Sequence, residues 1–216
     1  MSAASVGNFS IWLLITVLSV GVGGYALFHV ATFYANVPSG VMDNANLKPI
    51  GIETHIAASG VAMLLGAFQF SKTLRRKAPT VHRWMGYGYV IACTVGGLAG
   101  GSIALGSTAG PIAGWGFLML AICWVPFTLL ALASAMRKDF VAHERWMIRS
   151  FALTFGAVTL RLYLPVVGIM DWDFLTAYRI IAWAAWVPNL IVAELYIASL
   201  PRLKRRKRPA VATAEA

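Results

Sequence analysis

Six apolar runs constrain this 216-residue chain more than any other feature, because several reach the roughly 18 residues that a helix needs to cross a bilayer. Charged residues make up only 12% of the sequence, whereas a soluble domain carries about 25%. The runs, which we call spans one to six, lie at residues 11–34, 51–70, 84–106, 112–136, 147–167 and 175–200. The sequence therefore predicts an all-α fold, a six-transmembrane-helix bundle in contact with the lipid bilayer.

Lysine and arginine are concentrated on one side of the predicted bundle. The second connection, the fourth connection and the C-terminal tail hold fourteen of them, whereas the other three connections hold Lys48 alone. Basic connections stay in the cytoplasm, so both termini are predicted to be cytoplasmic. The net charge of +10 does not indicate nucleic-acid binding, because the charges stand at the ends of apolar runs. Residues 1–200 are predicted to form the transmembrane domain, and residues 201–216 a disordered basic tail.

An internal repeat is visible on the predicted cytoplasmic side. An Arg-Lys pair precedes both His82 and His143 with four residues between, and Arg-Trp-Met follows each histidine closely. This pattern favours a duplicated helical hairpin, spans two and three repeated as spans four and five, with one flanking helix at each end. The alternative is convergence, since any membrane interface collects basic residues and tryptophan.

Small and polar residues recur at helical spacing on three of the spans, which places them on single faces that are predicted to point into the bundle. The face of span two comprises His55, Ser59, Ala62, Gly66, Gln69 and Thr73. The face of span three comprises His82, Gly86, Tyr89, Cys93, Gly96 and Gly100. The face of span five comprises His143, Ser150, Thr154 and Arg161.

The four histidines are the most informative residues for chemistry, since two fall near each predicted membrane face. A b-type haem takes imidazoles from neighbouring helices, an apolar slot, and cations for its propionates. The sequence thus predicts haem b in a transmembrane electron carrier that exchanges electrons with quinone or a redox partner. The candidate cofactor-binding residues are His29, His55, His82, His143, Arg149 and Arg161.

A metal site is the alternative use of the inner histidines. His82 with Met85 and His143 with Met147 offer imidazole and thioether groups, which suit copper(I). Structural or interfacial roles for these histidines also stay open. No nucleophile–base pair, phosphate loop or carboxylate pair is present, so the sequence assigns no catalytic residue.

Arg161 supports a different class of function, because an arginine inside the bilayer needs a carboxylate, a ligand or the interface. Asp171 or Asp173 would satisfy it structurally. Alternatively, the chain is a small transporter or a proton or ion pathway protein. The polar residues proposed for that path are Gln69, Thr154, Arg161 and Glu194.

A third hypothesis is an accessory subunit that docks on a larger complex, as a homo- or hetero-oligomer.

Several segments carry a family resemblance. They are 66–70 (Gly-Ala-Phe-Gln-Phe), 82–86 (His-Arg-Trp-Met-Gly), 143–150 (His-Glu-Arg-Trp-Met-Ile-Arg-Ser), 152–155 and 160–165. Together they resemble an uncharacterised bacterial family of predicted inner-membrane proteins, classified only as a domain of unknown function, over about residues 52–166. The resemblance implies a bacterial inner-membrane protein and brings no activity. The histidine distribution by itself is similar to that of the cytochrome b561-like membrane electron carriers.

Overall fold

The computed structural model describes residues 3–36 and 49–200, and every regular element within them is an α-helix. These helices are α1 (Ala3–Asn36), α2 (Pro49–Gln69), α3 (Lys72–Lys77), α4 (Pro79–Ala104), α5 (Pro111–Met136), α6 (Phe140–Thr154), α7 (Gly156–Ile169), α8 (Phe174–Ala184) and α9 (Val187–Ser199). The predicted all-α fold is confirmed. Lys48 and the basic tail 201–216 lie outside the described residues.

Six stretches of the described helices are long and apolar enough to cross a membrane, as the sequence predicts. They run over Ser10–Thr32, Gly51–Gln69, Pro79–Ala104, Pro111–Met136, Phe140–Ile169 and Phe174–Ser199. Large apolar side chains such as Phe28, Leu98 and Leu195 are exposed, whereas Thr128 and Ser150 are fully buried. This distribution suits a bundle whose outer surface contacts lipid and whose helices associate through small and polar residues.

Spans three and five begin earlier than the sequence predicts. Span three starts at Pro79 rather than at residue 84, because proline is well accommodated in a first helical turn. Span five starts at Phe140 rather than at residue 147, and the Asp139 carboxylate caps it by accepting a backbone N–H at 3.0 Å. The first turns of these two helices are basic, so the apolar runs in the sequence begin only after them. Because the helices start earlier, His82 and His143 lie inside them.

Spans five and six are each interrupted near the middle, between α6 and α7 and between α8 and α9. The two breaks lie side by side, since a Cβ added to Gly156 would stand 3.3 Å from both Ala185 O and Trp186 Cβ. Asn189 Nδ2 donates to Ala185 O at 3.1 Å and to Thr159 Oγ1 at 2.9 Å. Broken helices are tolerated at membrane depth when such partners satisfy the freed backbone groups.

Neighbouring spans approach closely at glycines. Span two packs against spans one and three, and span four packs against spans three and five. A Cβ on Gly23 would stand 2.9 Å from Gly60 O, and one on Gly97 would stand 2.4 Å from Val125 Cγ2. These contacts leave no room for a side chain, so the glycines set the distance between the helices.

The second and fourth connections lie at the same end of the bundle, which we call the basic end. Its basic residues are Lys72, Arg75, Arg76, Lys77, Arg83, Arg137, Lys138 and Arg145. The opposite end, which we call the far end, holds the third and fifth connections. Gly110 makes the tight turn of the third connection with a φ of 93°, and α5 then starts at Pro111.

The fifth connection ends in a helix cap. Asp173 Oδ2 accepts a hydrogen bond from Thr176 N at 2.8 Å at the start of α8. This hydrogen bond holds the pKa of the Asp173 carboxyl below its usual range, because it stabilises the charged form. Asp173 is therefore the N-terminal cap of α8.

Candidate functional site

Four hydroxyl side chains form a hydrogen-bonded network between spans three, four and five. Tyr89 Oη lies 2.8 Å from Ser150 Oγ and 2.9 Å from Thr154 Oγ1. Thr128 Oγ1 lies 2.6 Å from Ser150 Oγ, and Trp124 Nε1 donates to Thr154 Oγ1 at 2.8 Å. Each of the four residues is at most 4% exposed. We call Tyr89, Thr128, Ser150 and Thr154 the hydroxyl network.

The local sequence explains how these hydroxyls meet. Ser150 and Thr154 are four residues apart on α6, so their side chains share one helix face. Span two makes room opposite them with Gly66, because a Cβ there would stand 2.7 Å from Tyr89 Cε2 and 2.8 Å from Phe151 Cδ2. The faces predicted for spans two, three and five therefore come together.

A second polar group lies nearer the basic end, and we call it the basic-end cluster: Gln69, His82 and His143. Gln69 is 6% exposed, and its Nε2 has no hydrogen-bond partner among the described residues. Its Oε1 stands 3.5 Å from where a Cβ on Gly86 would lie, one helical turn from His82. His82 Nδ1 is likewise buried without a partner in the described chain.

The two histidines of the repeat lie at the same end of the bundle, on spans three and five. His143 Nδ1 lies 2.8 Å from Ala131 O and donates to it, so Nε2 is the ring nitrogen that can accept a hydrogen bond or bind a ligand. The duplication of the hairpin stays a prediction.

A third polar group lines a small cleft between spans one, two and five toward the far end, which we call the arginine cleft. His55, Ser59 and Arg161 line it together with apolar residues, and its volume is about 50 Å³. His55 Nδ1 donates to Gly96 O at 2.8 Å, and Ser59 Oγ lies 3.5 Å from the same nitrogen. Gly100 admits the imidazole, because a Cβ there would stand 2.7 Å from His55 Nδ1.

The three groups follow one another along span five, which contributes His143 to the first, Ser150 and Thr154 to the second and Arg161 to the third, and we call them together the polar line. From His55 to Gln69 the line covers fourteen residues of span two, or about 21 Å of helix. The apolar thickness of a bilayer is about 30 Å. Met63, which is 2% exposed, stands between Ser59 and Gly66 and separates the arginine cleft from the hydroxyl network.

The space beside the far-end histidines, His29 and His55, can be compared with the space that a haem needs. His29 lies on α1, half-buried, with its ring 6.3 Å from that of Tyr25, and it does not line the arginine cleft. At about 50 Å³, the cleft has room for only a few water molecules, since one requires roughly 10–15 Å³. Because His55 is also pressed against Gly100, a haem there would require the spans to separate. Haem b remains a prediction.

Arg149 and Glu194 form an ion pair with each other. Arg149 Nε and Nη2 donate to the two Glu194 carboxylate oxygens at 2.5 and 2.8 Å, and the guanidinium lies 4.7 Å from the centre of the Trp146 ring. The pair faces outward, with Glu194 46% exposed. Glu194 therefore stands apart from the polar line, and Arg149 already has a carboxylate partner.

Arg161 makes no ion pair with Asp171 or Asp173, all of which belong to the described residues. Its Nη1 donates to Ala157 O at 3.0 Å. The expectation of a structural partner in the fifth connection is therefore wrong, because Asp173 caps α8 instead.

The metal prediction for His82 and His143 is not decided by side-chain clusters. Within residues 3–36 and 49–200, no group of three or more His, Cys, Asp or Glu residues is placed to hold a metal ion. The copper(I) site predicted from two imidazoles and two thioethers is of a different kind, and it stays a prediction. Glu144, which adjoins His143 in the sequence, is exposed.

Sequence reasoning missed two contributors to the site. Thr128 and Trp124 lie on span four, whose apolar composition gives no polar stripe. In span six the sequence does give a signal, because Pro188 predicts a kink and Asn189 beside it is polar. Asn189 holds the two helix breaks together.

Comparison with known proteins places the chain in a family. The profile of a family described as predicted membrane protein (DUF2306) matches residues 52–197. The match continues through span six, beyond the 52–166 region on which the sequence resemblance rests. No curated protein and no solved structure matches the chain.

Proposed function

The chain belongs to the predicted membrane protein family DUF2306, and we propose that it is a small transport protein whose ion pathway follows the polar line. The observation that carries the proposal is the succession of polar groups along span five, from His143 through the buried hydroxyl network to Arg161. Polar and ionisable residues are costly in a membrane interior and are retained where ions or protons pass.

Two unpartnered atoms support a pathway over simple packing. An interface that only holds helices together gains from pairing its polar atoms, and the hydroxyl network does so. Gln69 Nε2 and His82 Nδ1 lack partners in the described chain. A buried polar atom without a partner costs about 1–3 kcal/mol. Such atoms are the ones that a passing ion or water contacts.

The adjacent breaks of spans five and six also support transport. Secondary transporters build their ion sites from discontinuous helices near the middle of the membrane. Here the break after Thr154 follows directly on the hydroxyl network, and Asn189 bridges it to the break in span six.

The positive-inside rule assigns the direction of the pathway. With the basic end in the cytoplasm of a bacterial cell and the protein in the inner membrane, the basic-end cluster faces inward and the arginine cleft faces outward. Cysteine labelling of single-cysteine variants at Lys72 and Trp172 in intact cells tests this assignment. Labelling of position 72 from outside would contradict it.

Ion flux into proteoliposomes tests the pathway. We expect Ser150→Ala to reduce proton or small-ion flux at least tenfold, because Ser150 joins Tyr89 to Thr128. Thr94→Val is the matched control, since the Thr94 hydroxyl bonds only to Val90 O of its own helix at 2.8 Å. Glu194→Gln should leave the flux unchanged, because Glu194 lies apart from the line. Equal flux from the Ser150→Ala variant and the parent protein would contradict the proposal.

A second candidate function is favoured by the two histidines at the basic end, since His82 Nδ1 has no partner among the described residues and His143 keeps Nε2 for a ligand. Two imidazoles from repeated hairpins are the ligand set of a b-type haem, which would make the protein an electron carrier that exchanges electrons with quinone or a redox partner. A Soret band in protein from haem-replete cells, lost in His82→Ala and His143→Ala, would support it. Colourless protein that conducts ions would reject it.

A further inference from the structure

The arginine cleft contains a half-buried cation, Arg161. Among residues 3–36 and 49–200 it makes one hydrogen bond, to Ala157 O at 3.0 Å, although a guanidinium carries five N–H donors. No carboxylate among the described residues forms an ion pair with it. The remaining donors are available to a ligand in the cleft, which Arg161 lines.

The depth of Arg161 makes a counterion energetically important. The residue lies eight positions before the end of α7, or about 12 Å along the helix from the far end. An arginine within the apolar region costs about 2.5–3.5 kcal/mol at the centre of a span, and less toward the interface. A bound anion lowers this cost, because it provides both opposite charge and hydrogen-bond acceptors.

We infer that the arginine cleft binds a small monovalent anion, with Arg161 as its main ligand and Ser59 as a second donor. Its lining holds a guanidinium and a hydroxyl as donors and no carboxylate, whereas the His55 imidazole uses its Nδ1–H on Gly96 O. The remaining walls are apolar, from Val22, Ile56 and Met63. Electropositive donors in an apolar setting attract an anion and repel a cation.

The size of the cleft suits a small anion. Its volume of about 50 Å³ exceeds the roughly 10–15 Å³ that one water molecule requires, so a halide such as chloride fits this space.

The same chemistry continues beyond Met63. The hydroxyl network, Trp124 Nε1 and Gln69 Nε2 supply O–H and N–H donors along the polar line. The inference that this anion is also the transported ion rests on the proposed function. Binding of the anion in the cleft can be measured without any transport.

Chloride NMR line width, measured with the full chain in detergent against a gluconate background, tests the binding. We expect a saturable broadening that bromide competes away, and at least a tenfold weaker affinity in Arg161→Gln. Arg179→Gln is the matched control, because Arg179 also lies toward the far end and donates to a carbonyl, Ala109 O, at 2.9 Å, yet stands outside the cleft. Should Arg161→Gln fail to fold, Ser59→Ala carries the test, with weaker binding expected.

Three outcomes would overturn the inference: equal broadening in the parent and Arg161→Gln proteins, equal losses in Arg161→Gln and Arg179→Gln, or displacement of chloride by anionic phospholipid at lower concentration than by bromide. The last would identify a lipid phosphate as the occupant. Chloride binding without ion flux in proteoliposomes would support the cleft and reject the transport proposal. Flux without binding would do the reverse.

Discussion

Tyr89→Phe and Thr154→Val are conservative substitutions in the hydroxyl network, and we expect them to lower the free energy of unfolding by different amounts. The amounts differ because only one of them leaves a buried N–H group without a partner. Tyr89→Phe removes hydrogen bonds of 2.8 and 2.9 Å. Ser150 then keeps its contact with Thr128, and Thr154 keeps the bond from Trp124. Thr154→Val preserves side-chain shape but removes the acceptor of Trp124 Nε1 and leaves that buried N–H without a partner.

The magnitudes follow from the bonds lost. Interhelical hydrogen bonds in membranes contribute about 0.6 kcal/mol on average, so Tyr89→Phe should lower the free energy of unfolding by about 1 kcal/mol. Thr154→Val loses bonds of the same kind and also leaves the indole N–H unpaired, which costs about 1–3 kcal/mol more. We therefore expect a loss of about 2–4 kcal/mol for Thr154→Val, clearly larger than that for Tyr89→Phe.

Reversible unfolding in mixed micelles by added sodium dodecyl sulfate measures both losses. Thr94→Val is the control, since its hydroxyl bonds within its own helix, and it should stay within about 0.5 kcal/mol of the parent. Equal losses for Tyr89→Phe and Thr154→Val, or the reverse order, would refute the reasoning, because Trp124 would then not depend on Thr154 as its acceptor.

Three further predictions concern packing, the pathway and pH. Gly97→Ala should destabilise the protein by about 1–3 kcal/mol in the same assay, because its Cβ would stand 2.4 Å from Val125 Cγ2, whereas Gly21→Ala meets no atom within 4 Å and should not destabilise it. Met63→Ala should raise ion flux in proteoliposomes, since Met63 separates two polar groups, and Met63→Leu should not; reduced flux in Met63→Ala would contradict this role. Because the pKa of Asp173 is lowered by its helix-capping hydrogen bond, the cap should be present above the usual aspartate range and be lost as pH falls through the lowered value. Hydrogen exchange at the start of α8 measures this loss, which Asp173→Ala should abolish.

Part of the site could be predicted because it depends on periodicity. The spacing of Gly66 and Gln69 on span two, and of Gly86 and Tyr89 on span three, assigns each set to one helix face. The structure places those faces together, with Gly66 against Tyr89 and Gly86 beside Gln69. Small residues permit this approach wherever the two helices are neighbours, and a short connection makes them neighbours.

Partner choice between distant spans could not be predicted in the same way. Arg149 and Glu194 are 45 residues apart and pair because α6 packs against α9. Arg161 and Asp173 are much closer in sequence, yet they do not pair. The rotation of each helix about its axis decides such contacts, and it is set by packing against several neighbours at once.

The sequence by itself determined the six spans, because a bilayer demands a minimum apolar length and every run meets it. It also determined which faces are small and polar. Only the tertiary structure decided that spans five and six break side by side, that the hydroxyls of three spans form one network, and that Arg161 faces a cleft without a carboxylate. The physical reason is that bilayer crossing is a property of each segment alone, whereas hydrogen-bond and charge partners depend on how all the segments pack.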